Sequence, residues 1–77
     1  MRRFHILSIN RNNDFYLVQD ELEEYHILEI SDQLELGDII IEYDLTEYIC
    51  NDNQVFVTIQ WENISLDRGK EIILNGH

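Results

Sequence analysis

The sequence predicts a mainly β fold, a small five- or six-stranded antiparallel twisted sheet or barrel with a short C-terminal helix. Three observations carry that expectation. Twelve of the 77 residues are Ile, with no Ala and no Pro, a composition that suits strands better than helices. Apolar and polar residues alternate with period two in "DIIIEYDL" and "VFVTIQW". Clusters of Asn and Asp at "NRNND" and "NDN" supply turn residues between the apolar runs.

The elements follow in order. Phe4 to Ile9 reads as the first strand, and "NRNND" (Asn10 to Asp14) turns the chain into the second, "FYLVQ". "DELEE" separates that strand from the third, "YHILEI". The connection "SDQLELGD" (Ser31 to Asp38) carries Leu34 and Leu36, which are expected to plug one end of the fold. The fourth strand follows. Its alternation assigns Ile39, Ile41, Tyr43 and Leu45 to the interior and Ile40, Glu42 and Asp44 to the outside. "TEYIC" continues it after a bend or forms a short strand of its own. After "NDN", the strand "VFVTIQW" places Val55, Val57, Ile59 and Trp61 on one face and Phe56, Thr58 and Gln60 on the other.

The last segment has two readings. Ser65 suits an N-cap, Asp67 the first turn and Asn75-Gly76 a C-terminal stop, which predicts a helix near residues 66–74. Leu66, Gly69 and Ile73 would share its buried face, although Gly69 costs about 1 kcal/mol of helix propensity. The rival is a hairpin turn at "DRG" and a further strand "KEIIL". The helix is the preferred reading. Strands this short and numerous suggest a barrel of SH3-like or OB-like type, because closure removes exposed sheet edges.

The length corresponds to one acidic domain over residues 1–77. One Cys excludes an internal disulfide and fits a reducing compartment. "MRRFHILSIN" is a poor signal peptide, and no apolar run reaches the roughly 20 residues of a membrane helix. The expected address is the cytoplasm.

Charge is the most specific feature. The formal net charge is −11, from 16 acidic and 5 basic residues. The basic residues are Arg2, Arg3, Arg11, Arg68 and Lys70, so 56 residues from Asn12 to Asp67 contain neither Lys nor Arg, and 15 of the acids lie there. Such a surface argues against direct nucleic-acid binding, which relies on cations that neutralise phosphates. It argues equally against anionic membranes. Its natural complement is a basic protein.

No catalytic, cofactor or metal constellation stands out. Cys50 has no cation nearby in sequence to stabilise a thiolate. His5, His26 and His77 share no ligand spacing, and there is no phosphate-binding Gly loop or Ca2+ loop pattern. Glu29 alternates outward from Leu28 and Ile30. The expected function is therefore non-enzymatic binding of a basic, nucleic-acid-handling protein: a nuclease, a restriction enzyme or a CRISPR effector. Strand carboxylates two apart stand about 6.6 Å apart, a density comparable to that of phosphates along DNA. The candidate binding residues are Glu21, Glu23, Glu24, Glu42, Asp44 and Glu47, followed by Asp32, Glu35 and Asp38. The alternatives are an antitoxin- or immunity-type partner of a basic toxin, and a small domain of housekeeping or structural role whose acidity serves solubility. Either a monomer or a homodimer is compatible with the sequence. Crowded carboxylates are also expected to repel one another, so mild acidification should stabilise the fold.

Overall fold

A computed structural model describes residues 1–75. The described residues are mainly β, with seven strands and one helix: β1 (Arg2–Asn10), β2 (Phe15–Gln19), β3 (Tyr25–Ile30), β4 (Ile39–Asp44), β5 (Glu47–Cys50), β6 (Asn53–Val55), β7 (Val57–Ile64) and α1 (Leu66–Asn75). There are seven strands rather than five or six because "TEYIC" forms β5 and "NQVFVTIQWENI" breaks at Phe56 into β6 and β7. All pairings are antiparallel, in the order β6-β5-β4-β1-β2-β3-β7. The two edge strands are consecutive in the chain, joined through Phe56 alone. The sheet therefore curls into a half-barrel whose edges meet at one corner.

Local sequence explains the turns. Asn51 and Asp52 both take positive φ (52° and 64°) between the paired residues Cys50 and Asn53. That is the backbone of a two-residue type I′ hairpin, which Asn and Asp tolerate. Bulges supply the curvature. Ile6 pairs with Val18 while Ser8 pairs with Leu17, which leaves Leu7 as an extra residue on β1. Leu28 pairs with Ile59 while Ile27 pairs with Trp61, which leaves Gln60 extra on β7. A further shift on β7 coincides with Asn63 at φ 53°. Each bulge bends its strand and increases twist.

The sheet has two apolar faces. The concave interior holds Phe4, Ile6, Tyr16, Val18, Leu28, Ile30, Leu34, Ile40, Tyr48, Cys50 and Val55, with Ile9, Val57 and Ile59 packed against them. On the convex side Phe15, Leu17, Ile27 and Ile73 form a second cluster beneath α1, with Tyr25, Ile64, Leu66 and Ile72. β2 is therefore buried on both faces, as its unbroken apolar run "FYLV" implies. Helix α1 matches the preferred sequence reading. The Ser65 Oγ accepts the Arg68 amide at 3.1 Å, and Gly69 and Ile73 are buried. The Gly76 half of the proposed C-terminal stop, and His77, lie outside the described residues.

Three expectations are corrected. In β4 the register is inverted: Ile40 is fully buried, whereas Ile39 and Tyr43 are 39% and 44% exposed and Leu45 is 91% exposed. Both faces of β4 are apolar at one end, so alternation alone did not identify the inner one. In β7, Val57 and Ile59 face inward but the bulge at Gln60 turns Trp61 outward, where its ring meets Phe15 edge-on at 6.0 Å. Leu34 plugs the barrel, while Leu36 is 67% exposed.

Candidate functional site

Strand register places the nominated carboxylates at opposite ends of the half-barrel. The β2–β3 turn, the start of β1, the β4–β5 hairpin and the end of β7 converge at one end. The contacts that tie them are Arg3 with Glu21, Arg2 with Glu42 and Glu62, and the pairing of Asp44 with Glu47. Glu21, Glu23, Glu24, Glu42, Asp44 and Glu47 thus share one end, joined by Glu62, which sequence reasoning did not nominate. Asp32, Glu35 and Asp38 lie at the other end, in the β3–β4 connection, so the two nominated groups do not form one surface.

The first end is built around Arg2. Its Nε and one terminal nitrogen donate to the two Glu42 oxygens at 2.9 and 3.1 Å, and the Tyr48 hydroxyl donates to Glu42 Oε2 at 2.9 Å. The guanidinium also lies 5.0 Å from the Phe4 ring centre and 3.7 Å from Glu62. Glu42 is consequently inward-facing and neutralised, not a free outward charge. The Arg2 hydrogen bonds, working against partial burial and helped by Tyr48, hold its carboxyl below the usual carboxylate range. Burial, then Glu42, pushes the Tyr48 phenol up to about 12. A bulge between Glu42 and Asp44 also interrupts the regular carboxylate row expected along β4.

Glu21 accepts the Arg3 amide at 3.0 Å and lies 3.6 Å from its guanidinium. Glu23, at φ 64°, and Glu24 shape the β2–β3 turn. Their side chains, with those of Asp44 and Glu47, form no ion pair among the described residues. Four carboxylates at this end are therefore uncompensated.

Beneath them lies a polar pair that sequence reasoning missed. His26 and Asp20 are both buried, with Nε2 and Oδ2 2.8 Å apart. The Asn63 amide donates to His26 Nδ1 at 3.2 Å, which assigns the proton to Nε2 and makes it the donor to Asp20. The other Asp20 oxygen accepts the Leu22 and Glu24 amides at 2.9 and 3.0 Å. Burial raises the Asp20 carboxyl, but His26 and the two amides together outweigh it and hold the group below its ordinary value. The sequence signal was an Asp opening a tight turn, an arrangement that caps backbone amides. It was hidden within an acidic run. The pair is sealed from solvent, so it organises the turn that presents Glu23 and Glu24.

At the opposite end, Arg11 donates to the Leu34 carbonyl at 2.7 Å and to Glu35 at 2.8 Å. The Tyr16 hydroxyl donates to the Asp32 carbonyl at 2.7 Å and accepts the Leu34 amide at 3.1 Å. Asp38 accepts the Glu35 amide at 2.9 Å and lies 3.4 Å from the Asn51 side-chain nitrogen. Glu35 and Asp38 are therefore engaged in holding the connection, while the Asp32 side chain is exposed.

Cys50 is buried, and burial followed by Asp38 pushes its thiol up, away from a reactive thiolate. Among the described residues, no three of His, Cys, Asp and Glu group to hold a metal ion. Nor is any described helix long and apolar enough to cross a membrane.

No protein-family model matches this chain, and no curated protein or solved structure matches it.

Proposed function

We propose that this chain is a non-enzymatic acidic binding domain of the cytoplasm, one that engages a basic, nucleic-acid-handling protein by presenting charge as a nucleic acid does. A nuclease, a restriction enzyme or a CRISPR effector has the cationic groove this requires. The observation that supports the reading is the gathering of Glu23, Glu24, Asp44 and Glu47 at one end of the half-barrel with no ion-pair partner among the described residues. Glu23 and Glu24 are held on a turn braced by Asp20 and His26, and Asp44 and Glu47 on the β4–β5 hairpin, so together they offer negative charge to a cationic surface, which favours fast and salt-sensitive association.

The test is competition with DNA or RNA for a partner captured from host lysate at low salt. The domain displaces nucleic acid from the partner, binds none itself, and loses affinity steeply as salt rises. Glu23→Lys, Glu24→Lys and Glu47→Lys together abolish displacement while circular dichroism shows an unchanged fold. Glu42 is left intact, because reversing it would break the Arg2 and Tyr48 contacts. A folded triple variant that competes as well as the parent overturns the reading. Capture of a basic toxin that handles no nucleic acid replaces it with the antitoxin reading.

A further inference from the structure

The inverted register of β4 leaves an apolar stripe on the convex face of the sheet. Helix α1 covers β2 and β3, but among the described residues no element covers the same face of β4 and β5. Ile40, Tyr48 and Cys50 are in the interior cluster, so Ile39, Ile41 and Ile49 point the opposite way, and Tyr43, at the bulge beyond Glu42, is exposed. Ile41 sits across from Ile49 on one side and from Arg3 on the other, where the Arg3 guanidinium lies 3.6 Å from Glu21, and Ile39 and Tyr43 flank Ile41 along the strand. All four are partly or fully exposed. A solvated strand face would normally carry polar residues at these positions.

We propose that this stripe is the apolar centre of the docking surface, and that its occupant is a basic protein segment with a short apolar core flanked by arginine or lysine. The inference rests on the acidic-binding reading and adds to it the chemistry at the centre of the contact. Charge complementarity selects the occupant. Asp44 and Glu47, paired across β4 and β5, close the far end of the stripe. An apolar centre with a charged rim is the usual anatomy of a protein interface. A second copy of this chain fits poorly, because it carries the same net charge of −11 and would bring acid against acid. From Ile39 to Tyr43 the stripe runs about 13 Å, and it is two strands, about 5 Å, across. That is far short of the roughly 800 Å2 per partner of a stable dimer.

The test uses two defined peptides on the intact chain: Arg-Arg-Ile-Trp-Ile-Arg-Arg, and the same peptide with three serines at its centre. At about 150 mM salt, where exposed charges are screened beyond about 8 Å, the apolar-centred peptide binds at least about tenfold tighter. One buried apolar side chain suffices for that ratio. Ile41→Thr with Ile49→Thr keeps β-branched residues in both strands and removes the preference, leaving the two peptides equal. Tyr43→Ser, at a more exposed position, weakens the preference in the same direction and serves if the double variant fails to fold. Glu47→Gln weakens both peptides alike. Equal binding of the two peptides by the parent chain, or a preference that survives these variants, overturns the stripe and leaves the acidic reading standing. Binding of neither peptide at low salt overturns both. Sedimentation showing a dimer that Ile41→Thr with Ile49→Thr dissociates overturns the proposed occupant in favour of a second copy.

Discussion

At the residue scale, the molecule separates two kinds of carboxylate that look alike in the sequence. Asp20 and Glu42 are internal structural groups, each held by several donors, whereas Glu23, Glu24 and Glu47 form no ion pair among the described residues. The difference matters for pH. Both structural carboxyls are held below the range they have in an unfolded chain, about 3.9 for Asp and 4.3 for Glu. A group depressed on folding contributes stability above its unfolded pKa and loses it as pH falls through the folded one. Stability should therefore fall as pH drops below about 4, opposite in sign to the stabilisation expected from crowding of acids alone. Urea unfolding across pH 2 to 7 measures this; rising stability below about pH 4 would contradict it. Asp20→Asn should cost about 2 kcal/mol at pH 7, because its amide donor would face the His26 Nε2–H, and it should flatten the acid slope. Which acid is structural was not legible, since only the fold brings His26, six residues on, over Asp20 and Arg2 over Glu42.

At the element scale, helix α1 was readable because its signals are local. An N-cap, an acid in the first turn and a spaced apolar face lie within ten residues. Gly69 looked like a defect in that helix, and packing explains it. A Cβ there would lie 2.6 Å from Leu17 Cδ1, and Leu17 is buried in β2 beneath the helix. Gly69→Ala should gain about 1 kcal/mol of helix propensity and lose about 1–3 kcal/mol to overpacking. The expected net result is destabilisation near 1 kcal/mol, read as a lower urea midpoint; a raised midpoint would mean that Leu17 moves aside freely. Strand β4 was misread for a related reason. Period two shows that a strand has two faces, but with Ile at 39, 40 and 41 only the neighbours decide which is inner. Phe4 and Cys50, paired with Ile40 on either side, make that choice.

At the scale of the whole molecule, the charge asymmetry of the sequence is partly undone by folding. The four arginines return to the acidic surface, pairing Glu42 and Glu62, Glu21, Glu35 and Glu71. Apart from the part-buried, bidentate Arg2–Glu42 pair, these contacts are largely exposed, so each is worth little. With a net charge of −11, repulsion among the remaining acids is expected to exceed what these contacts return. The melting temperature should accordingly rise from low to moderate ionic strength, as screening weakens repulsion over distances near the Debye length. A flat or falling melting temperature would show that the arginine pairs compensate for the net charge.

The sequence by itself determined the class of the fold, the turns, the helix and the sign of the surface. Those properties depend on side-chain volume, backbone preference and formal charge, which each residue carries wherever it lies. Only the tertiary structure decided the inner face of β4, the outward turn of Trp61 at a bulge, the buried Asp20–His26 pair and the gathering of Glu23, Glu24, Asp44 and Glu47 at one end. Each of these depends on which strands become neighbours and in what register. That choice is made by packing summed over the whole sheet, and no short stretch of residues contains it.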